Sequence, residues 1–167
     1  MNVFALLAQA LMYPRPGLLE ELRAGLAGLR SGPAREGLAA FIRKIAPLSL
    51  AEWEELATRT LDLNPAAAPY VGFQIWGESY PRGEFMAQLS HALREHHIDT
   101  DGELPDHLVP ILRYLAATDA PLPGLSERLQ VAVDRMIATL READRDNPYI
   151  SLYEATLSAV QSQRART

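Results

Sequence analysis

Residues 103–116 read ELPDHLVPILRYLA. The apolar members Leu108, Ile111, Leu112 and Leu115 stand at i, i+3, i+4 and i+7, the spacing of one buried helical face. The front of the segment is built differently, with two prolines and an Asp-His pair. Pro105 suits a first helical turn, where its missing N–H would have no intrahelical partner, and Asp106 in that turn complements the positive end of the helix. Pro110 cannot donate to the carbonyl of Asp106 and crowds it, so a kink or a restart of the helix is expected there. A kinked first turn would hold Asp106 and His107 in a fixed, partly exposed position. The plainer reading is that the pair only caps the helix.

Outward from this segment the periodicity stays helical. Residues 3–12 form a short apolar helix ended by Tyr13-Pro14. Leu18, Leu19, Leu22, Leu26 and Leu29 mark a second, closed by Ser31-Gly32-Pro33, and Leu38, Phe41, Ile42 and Ile45 mark a third. Ser49 followed by Glu52 is a capping box that opens a fourth helix carrying Trp53, Leu56, Thr60 and Leu63, broken before Asn64-Pro65. Residues 69–76 are a short apolar piece. After a turn over 77–82, Phe85, Met86, Leu89 and Leu93 define a helix to about His97. Leu125, Leu129, Val133, Ile137 and Leu140 make a long helix, and Ile150, Tyr153, Leu157 and Val160 make the last. Strand signals are nearly missing and no repeat is visible. The expected fold is all-α, a single irregular globular bundle of about eight helices over residues 1–167, with the twelve prolines placed mainly in connections.

The composition removes several kinds of chemistry. With no cysteine there are no disulfides, no thiol nucleophile and no Cys-containing zinc or iron-sulfur site. The basic residues are fifteen arginines and one lysine. Lys44 lies in FIRKIAP, outside any Gly-rich phosphate loop and without a setting for Schiff-base chemistry. A net charge of -5, with no arginine stripe interleaved with aromatics, argues against a nucleic-acid partner. No apolar run approaches the roughly 18 residues of a membrane span. The start, MNVFALLAQALMYPRPG, lacks a basic segment and a small-residue cleavage site, so it reads as a first helix and the expected location is the cytoplasm.

Of the four histidines, His91, His96 and His97 lie in SHALREHHI at spacings that do not put imidazoles on adjacent turns, and no HExxH occurs. No metal or other cofactor is expected. The run DTDGE, residues 99–103, lacks the length and terminal glutamate of a calcium loop and reads as a polar turn before a helix. No nucleophile elbow is present, and no carboxylate pair is singled out for glycoside hydrolysis.

The segment ELPDHLVPILRYLA resembles the ELPDHLP signature, followed by an apolar helix, of the NarJ-type assembly chaperones of respiratory nitrate reductase. These belong to the wider TorD/DmsD group of chaperones for molybdenum enzymes. Upstream, residues 60–89, TLDLNPAAAPYVGFQIWGESYPRGEFMAQL, are similar to that family's second motif: a Leu-Asp-Leu run, an aromatic-rich segment, a Gly-acidic turn and an Arg-Gly pair that starts a helix. Asp62, Gly77, Glu78, Arg82, Gly83, Glu103, Leu104, Pro105, Asp106, His107 and Leu108 match the pattern. The departures are Tyr80, where nitrate-reductase members often carry a basic residue, and Pro110, one place later than the family's second proline. Both bear on which enzyme is served.

The resemblance implies a non-enzymatic chaperone of redox-enzyme maturation. Such a protein binds the N-terminal segment of an apo molybdoenzyme catalytic subunit, a twin-arginine-like leader, and keeps the enzyme open for insertion of its molybdenum cofactor before docking or export. The machinery that delivers that cofactor is a further implied partner. A helical domain with net negative charge suits a peptide that is basic at its start and apolar after it. On this reading Asp99, Asp101, Glu103 and Asp106 line an acidic mouth beside the kink, and Pro105, His107, Trp76, Tyr80 and Arg82 complete the peptide-binding set. Asp106→Asn is then expected to weaken peptide binding and leave stability nearly unchanged. Gly83 is expected to serve an unusual backbone angle or a close packing contact. The competing classes are a structural or adaptor subunit of a respiratory reductase complex and a helical metal-dependent hydrolase using the histidines.

Overall fold

The computed structural model describes residues 2–165. Among them are nine α-helices: α1 Val3–Ala10, α2 Leu18–Ala27, α3 Pro33–Ile45, α4 Leu50–Ala57, α5 Val71–Trp76, α6 Tyr80–Glu95, α7 Leu108–Ala117, α8 Leu125–Ala143 and α9 Pro148–Arg164. No strand occurs among the described residues, only an isolated antiparallel bridge between Tyr70 and His107. The fold is all-α, and the short apolar piece ahead of Gly77 is itself a helix, α5.

Helix α9 lies at the centre, packed against α3 and α8, while α1 packs on α7 and α5 on α8. Its sequence explains the position: Tyr149, Ile150, Leu152, Tyr153, Ala155, Ala159 and Val160 are buried on several sides rather than along one stripe. Gly37 of α3 permits the closest approach, since a Cβ there would sit 2.8 Å from the Cβ of Ala155. Every helix contributes buried apolar side chains to one continuous core.

The expected capping box is present, with the Ser49 hydroxyl accepting from Glu52 N–H and the Glu52 carboxylate accepting from Ser49 N–H. Beyond it the structure departs from the expected helix, because a π-turn intervenes. Helix α4 widens into a π-helical turn over Thr58–Asp62, followed by a 3₁₀ turn over Pro65–Ala67. A π-turn adds a residue to the turn and rotates everything after it. Trp53, Leu56 and Thr60 are therefore buried as the periodicity requires, but Leu63 is 72% exposed. Helix α6 also begins earlier than expected, at Tyr80, so Arg82 lies inside its first turn and not in the preceding loop.

Candidate functional site

The two motif-bearing segments meet. The strand-like bridge that joins them uses Val71 N–H to the carbonyl of Asp106 (2.8 Å) and Leu108 N–H to the carbonyl of Pro69 (2.8 Å). Beneath the bridge, Asp106 is fully buried and takes two hydrogen bonds from Arg82, Nε to Oδ2 at 2.9 Å and an Nη to Oδ1 at 3.3 Å. Arg82 is itself 8% exposed, and its guanidinium carbon lies 5.9 Å from the ring centre of Tyr70 and 5.5 Å from that of Phe73. Gly72 closes the pocket from the α5 side: a Cβ there would lie 2.8 Å from Asp106 Oδ2 and 3.0 Å from Arg82 Cγ.

This geometry corrects the reading of the opening segment. Helix α7 begins at Leu108 with His107 as its N-cap, so Pro105 and Asp106 precede the helix instead of forming its first turn. Pro110 is the third helical residue and no kink is needed. The first N–H groups of a helix have no intrahelical acceptor, and each is accounted for: Leu108 donates to Pro69, Val109 donates to His107 Nδ1 at 3.1 Å, and Pro110 has no N–H to satisfy. The first i−4 bond runs from Ile111 N–H to the His107 carbonyl at 3.4 Å. The carbonyl that Pro110 would crowd, that of Asp106, is turned away to Val71.

The expected acidic mouth is rearranged for the same reason. Asp106 and Arg82 face the interior and offer nothing to a partner. Asp101 takes the left-handed conformation at φ 52° and pairs with Arg113 at 2.6 Å, and Asp99 accepts from Asp101 N–H and, through its carbonyl, from Arg113. Glu103 stays at the surface and accepts the Tyr70 hydroxyl at 2.6 Å. Pro105 is half-buried in the turn before His107. Trp76 is half-buried edge-on against Phe85, 5.5 Å between ring centres, and Tyr80 is 80% exposed at the start of α6.

Four contributors were not picked out from sequence. Tyr70 links Glu103, Arg82 and His107, whose ring it meets edge-on at 5.0 Å. Gly72 makes room for the ion pair. From α8, Arg128 lies over the rings of Trp76 and Phe85, and Arg135 donates to the carbonyls of Gln74 and Ile75 at the end of α5. Aromatic-rich spacing around Tyr70 was the available signal for the first; the arginines carry none, because their partners are far away in sequence. Gly83 does not have the role expected of it. It is exposed, has no positive φ, and has open space where a Cβ would stand. The backbone that needs glycine is at Gly77, with φ 63° and ψ −154° at the end of α5.

The electrostatics follow from the burial. Burial first, and then the bond to Glu103, pushes the Tyr70 hydroxyl well above its ordinary value, so it stays a donor. Burial lowers the His107 imidazole, opposed by the charges of Glu103, Asp106 and Asp62. Asp62, at the end of the π-turn, thus reaches both Tyr70 and His107 electrostatically. Neither Asp62 nor Glu103 belongs to an ion pair among the described residues. Their chain neighbours Leu63 and Leu104 are 72% and 48% exposed. Asp62 and Glu103 thus form an acidic rim about Tyr70 and His107, each followed in the chain by an exposed leucine, above the buried arginine-aspartate pair.

The other histidines are spread out. His91 faces Glu95 at 3.2 Å, the Nδ1 of His96 lies 3.0 Å from the Ala92 carbonyl, and His97 ends α6 with φ 55°. Among the described residues no group of three or more His, Asp or Glu is placed to hold a metal ion. No described helix is long and apolar enough to cross a membrane. No protein-family model and no curated protein sequence matches the chain, so the residues themselves carry the functional reading.

Proposed function

We propose that this chain is a molybdoenzyme chaperone that binds the N-terminal segment of an apo catalytic subunit and assists molybdenum cofactor insertion before docking or export. The supporting observation is the convergence of two segments that each resemble nitrate reductase chaperones. Residues 60–89 and 103–116 are joined by the Tyr70–His107 bridge and by Arg82–Asp106. At their surface these segments carry the carboxylates Asp62 and Glu103, the latter bonded to the Tyr70 hydroxyl, and the exposed Leu63 and Leu104 next to them in the chain. That mixture suits a segment that is basic at its start and apolar after it. Recognition then belongs to Asp62 and Glu103, while Asp106 and Arg82 hold the face in shape.

Calorimetric titration with the N-terminal peptide of a molybdenum oxidoreductase catalytic subunit tests the reading. Asp62→Asn and Glu103→Gln each remove one exposed charge, and each should weaken binding about two- to fivefold, as expected for exposed ion pairs. The affinity should fall as salt rises. Absence of peptide binding, or binding indifferent to both substitutions and to salt, would refute it.

A further inference from the structure

The N-cap of α7 is an unusual choice. Asn, Asp, Ser and Thr caps accept an N–H bond at any ordinary pH, whereas His107 accepts from Val109 N–H through Nδ1. That bond requires a lone pair on Nδ1 and puts the imidazole proton on Nε2. An imidazolium has donors on both nitrogens and no acceptor. Capping α7 and carrying a proton on Nδ1 are therefore mutually exclusive.

We propose that His107 is a proton-operated cap: protonation unmakes the start of α7 and turns the acidic rim inward, weakening its hold on a cationic segment. The second half rests on the peptide-binding reading above; the first half does not.

Among the described residues the Val109 N–H has one hydrogen-bond acceptor, His107 Nδ1, and Val109 is 7% exposed; of its neighbours, Leu108 N–H is committed to Pro69 and Pro110 has no N–H. The charged and titratable groups around the ring come from each element packed on it. Asp62 reaches it from the π-turn, Glu103 and Asp106 from the preceding loop, and Arg113 from α7 itself, with Tyr70 edge-on from ahead of α5. Asp106 is already paired with Arg82 of α6, and Arg113 is bound to Asp101. Glu103, Asp106 and Asp62 all attract an imidazolium, and of the three only Asp62 and Glu103 stand, among the described residues, outside an ion pair and at the surface. They are the same two that give the rim its charge. Burial lowers the ring's pKa, and the charges of Glu103, Asp106 and Asp62 oppose that shift. The other three histidines do not share the arrangement, since none of them accepts the N–H of a helix start.

The test is a pH titration of the full chain by NMR without any partner, following the His107 ring nitrogens and the exchange of the Val109 amide corrected for its intrinsic rate. The expected result is an unprotonated Nδ1 at pH 7.5, and a loss of Val109 protection that follows the ring titration and reaches about fivefold, the size of one lost cap, once the ring is fully protonated. His107→Asn should keep the protection across the range, and His107→Asp serves the same purpose if the asparagine variant folds poorly. A protonated Nδ1 at pH 7.5, or Val109 protection that ignores the ring titration, overturns the proposal. A second arm measures the affinity of the basic leader peptide through the same pH range, which should fall at the ring midpoint in wild type and not in His107→Asn. If the cap titrates as described while the peptide binds at no pH, the cap stands and the chaperone reading falls.

Discussion

Replacing Asp106 by asparagine separates an interior brace from a surface contact. Asp106 has no exposed surface, and the Arg82 side chain is 10% exposed. Asparagine can accept from Nε of Arg82 through its one carbonyl oxygen, but its amide group would then face the second guanidinium nitrogen, now at 3.3 Å from Oδ1, donor against donor. The guanidinium would remain buried without a counter-charge. Removing one partner of a buried pair costs about 3 to 5 kcal/mol, and the retained bond places this case near about 3. For a chain of this length that is a fall in melting temperature of about 6 to 12 °C. Arg82→Met combined with Asp106→Leu leaves no charge behind and should be more stable than either single variant, since apolar replacements of a whole pair are often close to neutral. Thermal and urea unfolding of the four proteins in a double-mutant cycle measure the coupling. If Asp106→Asn unfolds within about 0.5 kcal/mol of wild type, as an exposed site would, the interior role is wrong and the sequence expectation of a solvent-facing aspartate is restored.

Gly72→Ala should destabilise by about 1 to 3 kcal/mol, because its Cβ meets Asp106 Oδ2 at 2.8 Å and Phe85 at 3.2 Å in a filled region; urea unfolding reads the effect. Gly83→Ala should do the opposite and stabilise by about 0.5 to 1 kcal/mol, since the site is an exposed helix interior with open space around it, and a lower melting temperature would contradict that environment. His107 gives stability an acid limb. With its folded value below the ordinary value near 6.5, the unfolded chain binds the extra proton first. The His107 contribution is thus complete above about pH 6.5 and is lost as pH falls through the lowered value. Melting temperatures between pH 7.5 and 5 should drop more steeply in wild type than in His107→Asn.

Most of the bundle was legible because amphipathic spacing reports which face is buried, and the Ser49–Glu52 capping box reports where a helix starts. Leu63 was misplaced because a π-turn has no periodic signature, and one extra residue in the turn carries an apolar side chain out to solvent. The site was legible as a pair of motifs but not as an inside and an outside. Aspartate and arginine are almost never fully buried unless paired, so a sequence reading puts Asp106 at the surface until its partner is known. Arg82, 24 residues earlier, gives no local sign that it is that partner. The prolines misled in the same way: Pro105 and Pro110 both suit a helix start, and only the bond from Leu108 to Pro69 decides where that start is.

Once the inside is fixed, the outside is constrained by it. A carboxylate with both oxygens engaged and no exposed surface cannot also receive a partner's cation, so the aspartate at the centre of the signature is excluded from direct recognition. Its work is to hold the loop before α7 against α5 and α6, a task that favours arginine over lysine at position 82 because only a planar fork can use both oxygens at once. The same brace fixes Tyr70, which lies over the guanidinium and donates to Glu103, and His107, which follows Asp106 in the chain and caps α7. Glu103 is thereby tied to the buried pair through Tyr70, while Asp62 reaches Tyr70 and His107 through its charge alone. A substitution inside would change the surface without touching it, and Asp62 and Glu103 are left as the charges a partner can meet.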